Sequence, residues 1–529
     1  MISDLLSQAA AGVPLWLPDL RERFAQAPDS EKIIIRLVAD RKTVRDYELF
    51  LPTVQDEEGK AFLLRFAAAQ VYNLLSAFSA REVRIYCSGM EKELLTELPS
   101  LFDKPDGLGK VRNIARRIFG DFRISISPLS DYTAHDLPSP AGVCELGEKL
   151  RELCRRAEEK GCVGIDIGGS DIKLAVSAGK KLLDVWEFDW NPASSPTVDG
   201  ILGPIMEQIG EAKALLERSG ASMDAIGISF PDIVIDDQIV GGETPKTKGM
   251  RDNPSIDYEK EFQKLRVLKE AVLPLCASGG LVRLTNDGNM AAFSAALELA
   301  AGGEDEQIRG GVIAHSLGTD LGTGWLESDG TIPAFPLEMY DLLLDLGDLP
   351  SAAHPAEDMR STRNENSGMN GVRRYLGQAA AYRLGWMLDP TMMDGYVKRN
   401  GELLFVPTEP EDLRKPCLEH LMKLASTGKP EAEEIFRRIG RNLSVVAREM
   451  NWIFGQTPPL RFLFGRFVKS RRCFELLCEG FDEAETGIRL EIADEELANS
   501  ALMRELAQRT DVTVAQFAQA IGSIYFAFS

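Results

Sequence analysis

Two glycine-bent hairpins constrain this chain more than any other feature. The first, GCVGIDIGGSDIKLAV at residues 161 to 176, runs apolar from Val163 to Ile165, reaches Asp166 and breaks at Gly168 and Gly169. It resumes with Ile172, Leu174 and Val176 alternating against Asp171, Lys173 and Ala175. That pattern predicts a buried strand, a tight turn and a half-buried strand. The second, GGVIAHSLGTDLGTGWLESDG at 310 to 330, repeats the plan with a turn from Gly318 through Thr319, Asp320 and Gly322 to Gly324. Recurrence after about 150 residues predicts a duplicated half. Each turn presents backbone N–H groups that suit phosphate oxygens, with Ser170 and Lys173 beside the first and Asp166 placed to hold water around a magnesium ion. A plain hairpin turn carries the same two glycines, so the motif alone leaves both readings open.

Between and after the hairpins, strands arrive early and helices late. KLLDVWEF (181 to 188) reads as a strand, 198 to 219 as a helix and DAIGISF (224 to 230) as a strand. LVRLT (281 to 285) then runs into NDGNMAAFSAALELAAG (286 to 302), a helix opened by polar residues and closed by glycines. Asp287 thus falls at a strand end and in the first turn of a helix, where free N–H groups favour its charged form. Asn and Asp are also favoured there as plain helix caps.

A chain of 529 residues is too long for one ordinary domain, and three units are expected. Residues 1–145 read as an accessory α/β unit with strands at 33 to 39, 46 to 52, 81 to 87 and 122 to 128 and an apolar helix at 61 to 78. SPLSDYTAHDLPSPAG (127 to 142) reads as a linker, followed by a charged helix from about 145 to 160. A first lobe at 160–285 and a second at 286–529 follow, the last helix a candidate to return to the first lobe. RELAQRTDVTVAQFAQAIGS (504 to 523) mimics a helix-turn-helix, but its apolar end reads as core.

The net charge of −21 argues against a nucleic-acid surface while leaving room for a local basic patch. No apolar run approaches the ~20 residues of a membrane span, and the N-terminus lacks the pattern of a secretory signal. A cytoplasmic protein is expected. The eight cysteines include no C-x-x-C pair, and the four histidines are not spaced with them as a zinc site requires.

DIGGSDIK, TNDGN before a helix and LGTDLGTGW stand in the order and approximate spacing of the ROK family of sugar kinases, which residues 160 to 529 resemble. The resemblance implies an α/β, two-lobed actin-like (ribonuclease H-like) ATPase fold carrying the extra N-terminal α/β unit. It implies ATP and Mg2+ as cofactor and counter-ion and a small carbohydrate as substrate, with no nucleic-acid or membrane partner. Many relatives associate, which leaves a homodimer open. By the same resemblance Asp287 is the general base, Asn286 and Glu338 contact the sugar, and Asp232 lies beside it. Gly168, Gly169, Ser170, Lys173, Gly318, Thr319, Gly322 and Gly465 hold the nucleotide, and Asp166 holds magnesium.

The departures are specific. Asp341 stands where the family has a zinc-ligating histidine, and no cysteine follows in 342 to 380, so no zinc site is expected. ISFPDIV (228 to 234) replaces a Gly-x-Pro-Gly segment and puts Asp232 in a glycine's place; Asp320 replaces another glycine in the second turn. An anion there repels phosphate unless a cation bridges it. Arg466 follows Gly465 where the family has further glycine, placed either to stack on adenine or to block it. Two function classes follow: an ATP-dependent kinase acting on a hexose, an amino sugar or a related carbohydrate, or a catalytically degenerate regulatory protein that binds sugar or nucleotide.

Overall fold

In the computed structural model the described residues are all except 40–42, 105–106, 135–145, 243, 348–353, 365–367 and 493–496, and the side chains of 90 and 91. The chain begins with β1 (Ser30–Val38), β2 (Val44–Pro52), α1 (Glu57–Ala77), β3 (Glu82–Cys87), α2 (Lys110–Phe119) and β4 (Arg123–Pro128). The sheet order is β2-β1-β3-β4, antiparallel except for the β3–β4 pair. Asp56 caps α1 by accepting the Gly59 amide, and Glu57 and Glu58 fill its first turn, where the helix dipole favours acids. Most of α1 beyond Phe62 is buried, which a helix packed on a single face would not show. Its second covering is the C-terminal half of the protein: one apolar core runs from Phe24, Phe66 and Leu74 into Leu343, Phe436 and Leu477. The expected linker is partly a strand, since β4 reaches Pro128, and its part from 135 to 142 lies outside the described residues.

The first lobe contains β5 (Gly161–Ile167), β6 (Asp171–Ala178), β7 (Lys181–Asp189), α3 (Asp199–Arg218), β8 (Ala225–Phe230) and β9 (Leu281–Asn286), ordered β9-β8-β5-β6-β7. The β5–β6–β7 meander is antiparallel, while β8 and β9 run parallel to β5. Among the described residues the main sheet of the second lobe repeats this with one strand fewer. After α4 (Asp287–Gly302) come β10 (Val312–Leu317), β11 (Leu321–Leu326), α5 (Pro430–Phe454), β12 (Leu460–Phe464), β13 (Arg489–Ile492) and α6 (Val514–Phe526). Its order β11-β10-β12-β13 has the same pairing senses, so β10 and β11 correspond to β5 and β6, and β12 and β13 to β8 and β9. The fold is the two-lobed actin-like α/β architecture with an N-terminal α/β unit added.

Helices α4 and α6 pack together and share a core with residues of both sheets, including Cys162, Ala225, Val312 and Phe462. The helix-turn-helix mimic therefore ends in a core helix, with Phe517, Ala520, Ile521 and Ile524 buried. At the α4 start the backbone lies directly on β11: a Cβ on Gly324 would meet the Gly288 carbonyl at 1.8 Å, so only glycine admits that approach. This contact brings the second glycine turn beside Asp287. Among the described residues no helix is long and apolar enough to cross a membrane.

Candidate active site

A cavity of about 630 Å³ lies at the start of α4, with Asp232, Lys246, Asn286, Asp287, Arg373 and Glu338 in its wall. Asn286, not Asp287, is the cap of α4, its Oδ1 accepting the Gly288 amide at 2.8 Å. The Asp287 carboxylate also receives that amide through Oδ1, at 2.8 Å. Burial pushes its carboxyl above the ordinary aspartate range, and the opposing influences begin with the Lys246 cation. Lys246 has no hydrogen bond or ion pair among the described residues. Its Cε lies 3.5 Å from where a Cβ on Gly169 would stand, so the lysine spans the space between the first glycine turn and Asp287. Sequence reasoning missed Lys246. The signal was the stretch PKTKGMR at 245 to 251, a basic run in an acidic chain on a loop with no periodicity to reveal where it points.

The first turn is rigid from within. The Trp190 indole donates to the Gly168 carbonyl at 3.1 Å and the Trp190 amide donates to the Ser170 carbonyl at 3.0 Å. Two expected phosphate donors are already engaged: Ser170 Oγ donates to Asp171 at 2.8 Å, and Lys173 is paired with the same Asp171 carboxylate. In the second turn a side chain on Gly318 would meet nothing within 4 Å, and Thr319 and Gly322 line the cavity. Asp320 is answered by Arg373, whose Nε donates to it at 2.6 Å, so the bridging cation that this anion demands comes from the short helix Val372–Leu376.

Asp166 is tied to Ser229, whose Oγ lies 2.8 Å from its Oδ1 and 3.3 Å from Gln519 Oε1. Burial raises the Asp166 carboxyl to about 6 against the pull of Ser229 and Lys173. Gln519 belongs to the wall of a second cavity of about 860 Å³, bounded by Ala291, Ala295 and Glu298 on α4 and by Phe464 and Gly465. Gly465 has φ 97°, and a Cβ there would stand 2.6 Å from the Leu317 carbonyl, so this wall requires glycine. Arg466 is not in that wall; its charge acts on Asp412 and Tyr382 instead. Asp287, Ala291, Ala295 and Glu298 recur at helical spacing along one side of α4, so the two cavities adjoin along that helix.

Three expected sugar contacts are placed at the small cavity with different freedom. Asp232 is 5% exposed, and its two oxygens accept the Ile233 and Gly242 amides at 2.7 and 2.8 Å, so its carboxylate serves the loop. Asn286 spends its amide nitrogen on the Asp232 carbonyl at 2.9 Å. Glu338 remains: burial drives its carboxyl up to about 8, opposed first by Lys110. Asp341 accepts from Tyr72 at 2.7 Å and from Lys110 at 2.9 Å. Among the described residues no three His, Cys, Asp or Glu side chains gather as a metal site. The cysteines described are free and buried or half-buried, and burial pushes Cys162 and Cys417 up to about 12.

A carboxyl raised in the folded state binds its proton more tightly than in the unfolded chain, so stability falls as pH rises between the two values. For Glu338 that window runs from 4.5 to about 8. The Glu338→Gln protein is expected to melt higher than wild type at pH 8 and to lose the advantage by pH 4.5, as read by paired thermal melts across that range. Equal melting differences at both ends would refute the buried-acid assignment.

No family model and no curated protein matches the chain. Among solved structures it is similar to a ROK family glucokinase from Streptomyces griseus in complex with glucose and AMPPNP: 17% identity, 69% of this chain and 97% of that one covered, TM-score 0.41. It is similar to a ROK hexokinase from Thermus thermophilus at 20% identity, covering 66% and 98% of the two chains with TM-score 0.40. A ROK family transcriptional regulator, a homolog of the E. coli MLC protein, matches at 14% identity over 70% of this chain and 80% of that one, TM-score 0.40. These are likenesses to ROK family kinases and a ROK family regulator, and the two-lobed assignment rests on the chain's own repeated strand order.

Proposed function

We propose that the protein is an ATP-dependent kinase that phosphorylates a hydroxyl of a hexose, an amino sugar or a related carbohydrate, with Asp287 as general base. The observation that carries this reading is the placement of Asp287 in a polar cavity, beside the Lys246 cation and the first glycine turn. A hydroxyl nucleophile needs a carboxylate within hydrogen-bond reach, and a transferring phosphoryl group needs positive charge at its oxygens. Asp287 and Lys246 supply these. The 860 Å³ cavity along the same side of α4 suits the nucleoside, with the phosphate chain passing from Gly465 toward the glycine turns.

Glu338, protonated at neutral pH by burial, is placed to donate to a sugar oxygen. Mg2+ would neutralise charge on the nucleotide phosphates, and it keeps most of its own waters while taking one or two carboxylates. Asp166 fits that demand, since a neighbouring cation would favour the ionised form that burial disfavours.

One observation favours the second reading, a regulatory protein that binds sugar or nucleotide without turning it over: Ser170 and Lys173 are both engaged by Asp171. Calorimetry with MgATP, followed by ADP release measured over a sugar panel, separates the two. Turnover with any sugar supports the kinase. Nucleotide or sugar binding without ADP release supports the regulator, and binding of neither ends both.

A further inference from the structure

Helix α2 touches both lobes beside the small cavity. Its sequence KVRNIARRIF places Lys110, Ile114, Arg117 and Ile118 at helical spacing on one side, about 10 Å from first cation to second. At its start Lys110, 8% exposed, donates to Asp341 at 2.9 Å and sits over the Tyr340 ring at 5.4 Å. At its end Arg117 donates to the Gly241 carbonyl and pairs with Glu259 at 2.6 Å. Between the two, Ile114 and Ile118 form a small apolar cluster with Ile233, Ile235 and Val240. The second-lobe loop it grips is also held by α1: the Leu337 and Glu338 amides donate to the Ala77 and Ser76 carbonyls, both at 3.1 Å, and Tyr72 binds Asp341. The first-lobe loop it grips is the one that Asp232 organises through the Gly242 amide.

We propose that α2 is the strut that sets the width of the substrate cleft, with Lys110 a positioning residue that holds the 337–341 loop and its Glu338 opposite Asp287. Its effect on substrate rests on the kinase reading. The N-terminal unit then stands behind the two loops that wall the site. Neither Lys110 nor Arg117 lines the cavity itself, so each acts through the loop it holds. Removing one cation frees one side of the cleft and leaves the nucleoside cavity, farther along α4, undisturbed.

The test uses the full chain with Lys110→Met, Lys110→Arg and Arg117→Met. Hydrogen exchange read by mass spectrometry is expected to quicken in 337–341 for Lys110→Met and in 240–242 for Arg117→Met, and to stay unchanged around 291–298 and 514–519. Lys110→Arg is expected to restore protection. On the best sugar of the panel, Lys110→Met is expected to raise the sugar KM by up to about 100-fold, the scale of a small misplacement, while the ATP KM stays put. Exchange unchanged in both loops would overturn the strut, as would exchange rising everywhere with a collapsed melting temperature, which marks a general brace. A wild-type protein inactive on every sugar would end the kinase reading, and the exchange comparison would still decide the strut.

Discussion

Asp287→Asn is expected to lower turnover by about 10² to 10⁴-fold, the usual contribution of a general base, while sugar binding survives. The structure makes the experiment clean. Asn286 already caps α4, so the substitution takes no cap away, and an amide at 287 can still accept the Gly288 amide. The melting temperature is expected to hold or rise, because burial disfavours the charge that the substitution removes. A companion measurement locates Lys246. Its cation is the first influence holding the Asp287 carboxyl down, so Lys246→Met is expected to push that carboxyl further up. A base works only when deprotonated, so the acidic limb of the kcat/KM profile should then move to higher pH. An active enzyme indifferent to Asp287→Asn would remove the general-base assignment, and an unmoved acidic limb in Lys246→Met would separate the lysine from it.

Glu449→Ala is expected to cost about 3 to 5 kcal/mol, the scale for stranding a buried ionic partner. Glu449 on α5 has a fully buried side chain that accepts from Arg21 at 2.5 Å and from Asn73 at 2.8 Å. Its loss leaves both groups inside the core shared by the N-terminal unit and the second lobe. Because that core is continuous, the unit and the lobe are expected to melt in one transition that the substitution lowers as a whole. The double replacement Arg21→Met with Glu449→Met should recover much of the loss, since two apolar groups leave no stranded charge. Calorimetry showing residues 1–128 melting alone, unaffected by Glu449→Ala, would contradict the shared core.

Much of the two-lobed plan was legible because its signals are local. The alternation from Ile172 to Val176, the apolar run into Asp166 and the polar start and glycine end of α4 are periodicities and caps set by neighbouring residues. Asp287 was legible for the same reason: a strand end running into a helix start fixes where the carboxylate sits along the chain, whatever packs around it. The second hairpin was legible as a repeat of the first.

Partnerships were not legible. Asp320 reads from sequence as an unanswered anion, and its Arg373 lies 53 residues on, on a short helix with no pattern pointing back. Asp232 reads as a sugar neighbour, but two backbone amides take its oxygens. Lys110 and Tyr72 meet Asp341 across 231 and 269 residues.

The sequence by itself determined the order of strands and helices, the duplicated glycine turns and the position of the acid at the head of α4. Only the tertiary structure decided which charges face one another: that Lys246, with no partner among the described residues, stands beside Asp287, that Lys173 is held by Asp171, and that the N-terminal unit holds the loop of Glu338. The physical reason is range. Periodicity and capping act over a few residues, whereas the pairing of loop side chains depends on how separate elements dock, which here follows from burying one apolar core across both ends of the chain.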